Sequence, residues 1–192
     1  MSSKPARIIG IVSVVAGLVM IVAGAVTWGI VTSQLKDERI TVPADADPVL
    51  GVKVAGKKVE GPLTAFGQAE IIKKHANAGS EGKTYAELGG VQNQVKAKAK
   101  EKGVEDLNTT DPAQMAKIEA DPELKQLKAD LAKATAQRNS VMNAAFLRSS
   151  LFSSVITYGV SALVMGLGLM FILIGLALAS LKAAPVVARD AD

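Results

Sequence analysis

Two stretches of this chain, Ile8 to Val31 and Leu151 to Leu181, contain no Asp, Glu, Lys, Arg, His or Pro. Each exceeds the roughly 20 helical residues that cross a hydrocarbon layer about 30 Å thick. Backbone groups in lipid have no water to bond, so a lone spanning segment has to be helical. The chain therefore divides into a short N-terminus (1–7), a first span (8–31), a region between the spans (32–150), a second span (151–181) and a tail (182–192). The region between the spans is too short for a large enzyme core. The mean hydropathy of +0.27 beside 21% charged residues is the average of these unlike compositions.

Composition excludes several classes. With no cysteine, disulfide-stapled ectodomains, thiolate chemistry, iron–sulfur clusters and cysteine zinc sites are ruled out. The net charge of +4 comes from 22 basic and 18 acidic residues, a mixed solvated surface. A nucleic-acid face would show concentrated basic charge with aromatic support, and no such face is expected here.

Orientation follows from the flanks. Lys4 and Arg7 precede the first span with no acid among them, which favours a cytoplasmic N-terminus. Ala23-Gly24-Ala25 resembles a signal-peptidase site, but the apolar run continues through Val31. It is longer than the 7–15 residues or so of a signal h-region, so the span is expected to be retained. Two crossings then place both termini in the cytoplasm and residues 33–149 outside the plasma membrane.

Glycines recur at seven-residue spacing in both spans. Gly10, Gly17 and Gly24 form one row; Gly159 and Gly166, with Ala162 between them, form another, and Gly168 and Gly175 repeat the spacing. Small residues let helix backbones approach in lipid, where hydrophobicity provides no net attraction between helices. The rows are expected to pack the spans on each other, or to dock a membrane-protein partner or a second copy. Neither span carries an ionisable residue of the kind that lines ion or proton paths, so transport by the chain alone is not expected.

Residues 32–90 read as a small α+β region and 91–150 as helical. Arg39-Ile40-Thr41-Val42 is a short strand candidate ended by Pro43, and Val52–Val59 a small hairpin turning at Ala55-Gly56-Lys57. Leu63, Phe66, Ala69 and Ile72 have helical spacing, with Gly79 as the stop. Thr84 and Glu87 form a capping-box pair, with Gly89-Gly90 expected to cut that turn short before a helix from Val91 to Lys102. Asp111-Pro112 and Asp121-Pro122 each place an N-cap oxygen before a proline at the first helical position. No Pro or Gly follows Pro122 until Gly159, which predicts one helix running into the second span. At 1.5 Å per residue its extramembranous part would be about 43 Å long. Leu124, Leu127, Leu131 and Val141 form a broken seam, either a partner surface or a face packed on residues 112–120 or on the first part of the loop.

Chemistry-bearing residues are sparse. His75 is the only histidine, expected solvated or packed. Asp45-Ala46-Asp47 reads as a turn before Pro48, and Lys96, Lys98, Lys100 and Lys102 spread around a helix axis. Phe66, Ile71, Ile72 and Tyr85 are the residues that would bound an apolar pocket. No catalytic, metal or cofactor residue is assigned.

The segments Ser33–Ala46, Gly61–Glu70, Gly82–Leu88 and Ala145–Phe152 resemble a family of actinobacterial two-span envelope proteins, many labelled aromatic ring-opening dioxygenases. The resemblance covers roughly residues 8–88 and 141–180 and implies two spans, an outer loop and an envelope location. Ring opening needs iron held by two histidines and a carboxylate; with His75 alone, no catalytic residue carries over. The expected architecture is a mainly α membrane protein with two transmembrane helices, a small α(+β) extracytoplasmic domain and a helical stalk entering the second span. The expected role is a non-enzymatic interaction or accessory subunit of an envelope membrane complex. The alternative is a membrane-anchored periplasmic module binding an envelope lipid or small molecule.

Overall fold

A computed structural model of the chain describes residues 4–181. Five helices follow in order: α1 (Lys4–Asp37), α2 (Pro62–Gly79), α3 (Tyr85–Glu101), α4 (Pro112–Ala120) and α5 (Pro122–Ser180). Residues 1–3 and 182–192, and with them the whole of the expected cytoplasmic tail, lie outside the described residues. Contacts divide the chain into two compact units.

The first unit comprises the chain up to Thr41, residues 57–65, and α5 from Ser153 onward. Its two helices are long and apolar enough to cross a membrane. A core helix of a soluble protein would be mostly buried, whereas only 17% of the most apolar stretch of α1 and 11% of that of α5 is buried. Large apolar side chains such as Ile8, Val19, Leu163 and Leu173 stand exposed on their outer faces. In water, each such residue left uncovered forgoes about 1.5–3 kcal/mol of burial, so these faces suit a hydrocarbon solvent. The pair is antiparallel, with Gly10 against Gly175 and Gly17 against Gly168.

The second unit comprises residues 42–56 and 66–152. Its core is built by α3, α4 and the first turns of α5. Val95, Ala99, Val104, Leu107, Ile118, Leu124, Leu127 and Leu131 are buried together, with Val91 packed at the edge. Local chemistry sets the helix ends. Thr84 Oγ1 accepts from the Glu87 N–H while the Glu87 carboxylate accepts from the Thr84 N–H, a complete capping box. Asp111 accepts from the Ala113 N–H, and Asp121 from the Glu123 N–H. At the far end of α3, Gly103 takes a left-handed φ of 73°, and Val104 N–H reaches back to the Ala99 carbonyl. This lets Val104 enter the core.

Three expectations need correction. No strand forms among the described residues, so the α(+β) domain is helical with irregular connections. Single bridges, Thr41 to Lys58 and Val49 to Val52, are all that remains of pairing. Each ladder stops after one rung because residues with positive φ flank it: Arg39 before one, Leu50 and Gly51 inside the other. The expected hairpin folds differently. Val59 N–H donates to the Ile40 carbonyl and Gly56 N–H to the Val42 carbonyl, while Val52 pairs with Val49, so Val52–Val59 does not close on itself. Finally, α3 runs straight through Gly89-Gly90. Two glycines cost a helix about 1 kcal/mol each, and burial of Leu88 together with packing at Gly89 offsets this.

Candidate functional site

The seam between α1 and α5 is the most constrained surface of the first unit. Gly10, Gly17, Gly24, Val31 and Leu35 are the buried residues of α1. The seven-residue spacing of the first four holds one stripe in register along the helix, as in left-handed helix pairs. A β-carbon on Gly10 would stand 2.6 Å from the Gly175 carbonyl oxygen, and one on Gly175 would stand 2.5 Å from that of Gly10. A β-carbon on Gly17 would collide with the Gly168 carbonyl, and one on Gly24 would meet the Met165 side chain at 2.6 Å. Backbone touches backbone here, and no path for an ion or solute runs between the helices at these levels.

Toward the other end of the seam, small residues give way to polar and aromatic ones. Tyr158 is 1% exposed. Its hydroxyl lies 2.8 Å from Thr32 Oγ1, and its ring meets Trp28 edge-on with centroids 4.6 Å apart. A buried phenol needs such a partner. Ser161, also buried, donates to the Thr157 carbonyl of its own helix.

The second glycine row is therefore corrected. Gly159 and Gly166 have no neighbour within 4 Å at the β-carbon position, and Ala162 is exposed. The row that meets α1 is Gly168 and Gly175, two residues further on. Two residues turn about 200° around a helix of 3.6 residues per turn, so identical spacing served opposite faces. The signal that separates them is polar: Tyr158 and Ser161 need buried partners and share the face of Gly168 and Gly175.

The proposed partner seam on α5 also changes role. Leu124, Leu127 and Leu131 are buried in the core of the second unit, leaving them no surface to offer. Val141 is half-buried. Arg138, which interrupts that seam, lies with its guanidinium 4.0 Å from the Tyr85 ring centroid and donates to Gln92 Oε1. A β-carbon on Gly89 would stand 3.4 Å from it. The bare helix face at Gly89 thus lets Arg138 lie flat.

The four pocket candidates serve separate contacts. Phe66 packs edge-on against Phe152, Tyr85 lies under Arg138, Ile71 is buried and Ile72 half-buried. His75 Nε2 lies 2.8 Å from Asp45 Oδ2, and this hydrogen bond, first among its causes, holds the Asp45 carboxyl below its ordinary pKa. With Lys74 facing Asp47 at 3.6 Å, the pair ties the Asp45–Asp47 turn to α2. Among the described residues no group of three or more His, Cys, Asp or Glu is placed to share a metal ion.

One concave feature was not anticipated. A cleft of about 360 Å³ opens where α1 ends, floored by Leu35, Ile40 and Val59 and rimmed by Lys36, Arg39 and Lys58. Glu60, also on the rim, lies 3.8 Å from Lys36. The bridge from Thr41 to Lys58 brings the separated basic residues together, and sequence spacing carries no trace of it.

These features define a mainly helical protein with two apolar, membrane-competent helices closed on each other by glycine contact. Compared with family models, curated proteins and solved structures, the chain matches none.

Proposed function

We propose that this chain is a non-enzymatic two-span protein of the plasma membrane, an interaction or accessory subunit of an envelope membrane complex. The observation that carries the reading is the sealed seam. Backbone contact at Gly10/Gly175 and Gly17/Gly168 leaves a rigid pair whose remaining surface is apolar and turned outward. Such a pair is suited to anchoring and association. The exposed small residues Gly159, Ala162 and Gly166 are where a partner helix or a second copy would approach most closely.

Both termini are placed in the cytoplasm on the strength of Lys4 and Arg7, and the actinobacterial envelope on the strength of the segment resemblance. The alternative, a module binding an envelope lipid or small molecule, draws no support from Phe66 and Tyr85, which lie against Phe152 and under Arg138.

The test is affinity purification of the full chain from detergent-solubilised membranes. A stoichiometric partner or dimer, lost in Gly159→Leu with Gly166→Leu while Trp28 fluorescence is unchanged, is the expected result. A monomer recovered alone, indifferent to those substitutions, overturns the reading. Orientation is checked separately with a membrane-impermeant thiol reagent on intact cells, since the chain has no cysteine of its own. Lys96→Cys, on the exposed face of α3, should label and Ser2→Cys should not. Ser80 is buried and would be a poor reporter.

A further inference from the structure

We propose that the cleft at the end of α1 binds the phosphate of an anionic lipid headgroup. The inference rests on α1 lying in a bilayer but not on any protein partner. The apolar run of α1 ends at Val31, and Lys36, the first charge beyond it, lies five residues further on, about 7.5 Å along the axis. The polar layer on each face of a bilayer is about 5–7.5 Å thick, so the cleft opens at the outer edge of the headgroup layer. Its floor of Leu35, Ile40 and Val59 is apolar, and its rim sets three cations against one carboxylate.

The cations are positioned by backbone structure. Arg39 sits in a left-handed turn with φ of 53°, closed by its N–H donating to the Lys36 carbonyl. Lys58 is carried in by the hydrogen bond from Val59 N–H to the Ile40 carbonyl at 2.9 Å. Glu60 faces Lys36, while Arg39 and Lys58 form no ion pair among the described residues. A guanidinium and an ammonium over an apolar floor suit a phosphodiester that arrives with its hydrocarbon attached. A free phosphate ion would gain nothing from Leu35 or Val59.

The experiment is native mass spectrometry of the full chain in a neutral detergent, titrated with dioleoyl phosphatidylglycerol or dioleoyl phosphatidylcholine. One phosphatidylglycerol should be retained per chain, about tenfold in preference to phosphatidylcholine. Arg39→Asn, which keeps a residue tolerant of left-handed φ, combined with Lys58→Gln should lower that retention about tenfold. Lys53→Gln with Lys57→Gln removes the same charge outside the cleft and should leave it unchanged. Equal loss in the two double variants, equal retention of the two lipids, or displacement by inorganic phosphate would each overturn the proposal. Recovery of the chain from the soluble fraction without detergent would instead defeat the membrane reading beneath it.

Discussion

The two units hold together by opposite means. In the second, Leu88, Leu107, Ile118 and Leu124 are buried almost completely, so cohesion comes from withdrawing large apolar side chains from water. In the first, most large apolar residues face outward and the closest contacts are made by residues with no side chain. In a bilayer, where lipid tails are as apolar as leucine, burying leucine against another helix would gain nothing. Close backbone approach and the occasional hydrogen bond have to suffice. The same residue type therefore has opposite meaning in the two regions: a leucine is buried structure in one and faces outward in the other.

The sharpest way to break this comparison is to make the same substitution in both places. Leu124→Ala should destabilise the second unit by about 2–5 kcal/mol, the cost of emptying a well-packed site. Leu163→Ala on the outer face of α5 should change unfolding hardly at all. Chemical denaturation in detergent, followed by protease resistance of the second unit, reads the difference. Comparable losses at the two sites would mean that α5 buries its outer face and that the contrast is false.

Glycine supplies the converse test, and Trp28, the only tryptophan, reports on it from the seam. Gly168→Leu forces a branched side chain toward Gly17, Met20 and Ile21, so the helices must separate. We expect a shifted Trp28 emission and a lower melting temperature for the pair. Gly166→Leu, two residues away with open space around it, should leave both as they are. Contacts between membrane helices are often worth about 1 kcal/mol, so the effect should be smaller than that of Leu124→Ala.

What the sequence disclosed follows the same division between local and non-local causes. The two long apolar helices were legible because absence of charge over Ile8–Val31 and Leu151–Leu181 is a local property. So were the caps at Thr84, Asp111 and Asp121, whose partners lie two or three residues away. The continuity of α5 into the second apolar stretch was legible from the lack of Pro and Gly. The fate of Gly89-Gly90 was not, because Arg138 and Leu88 decide it through packing distant in sequence. The choice between Gly166 and Gly168 was hidden from spacing, which gives a helix its stripe but not its rotation, and only the polar residues Tyr158 and Ser161 marked the face. The basic cleft depends on one bridge between Thr41 and Lys58, a contact too short to leave a strand pattern.

A finer probe of the seam is the hydroxyl pair of Tyr158 and Thr32. Tyr158→Phe keeps the ring against Trp28 but removes the partner of Thr32 Oγ1. The expected loss is about 1 kcal/mol, read as a small drop in the melting temperature of the pair. The second unit should be unaffected. A stabilised pair would indicate that packing outweighs the hydrogen bond at this depth.

Acid should act on the second unit and spare the first, whose helices carry no ionisable residue within their apolar runs. Glu81 is the clearest case. Its Oε1 lies 2.6 Å from Lys133 Nζ and its Oε2 2.7 Å from Lys83 Nζ. These hydrogen bonds, the one from Lys133 foremost, lower the carboxyl from 4.5 to about 2. A carboxyl whose folded pKa is depressed stabilises the native state above its unfolded pKa and loses that contribution as pH falls through the folded one. The contribution should therefore be complete above about pH 4.5 and fade towards pH 2. Both partners are exposed, so the effect should be the smallest of the four. Glu81→Gln should flatten this acid limb in a pH series of denaturation midpoints, leaving the midpoint at pH 3 closer to that at pH 7 than in the parent chain. Lys133, held above its ordinary pKa by the same pair, predicts a second loss only at strongly alkaline pH, and Glu81→Gln should remove that as well. If Glu81→Gln leaves the acid limb unchanged, the sensitivity belongs to other carboxylates, of which Asp121, lowered first of all by Lys102, is the next to test.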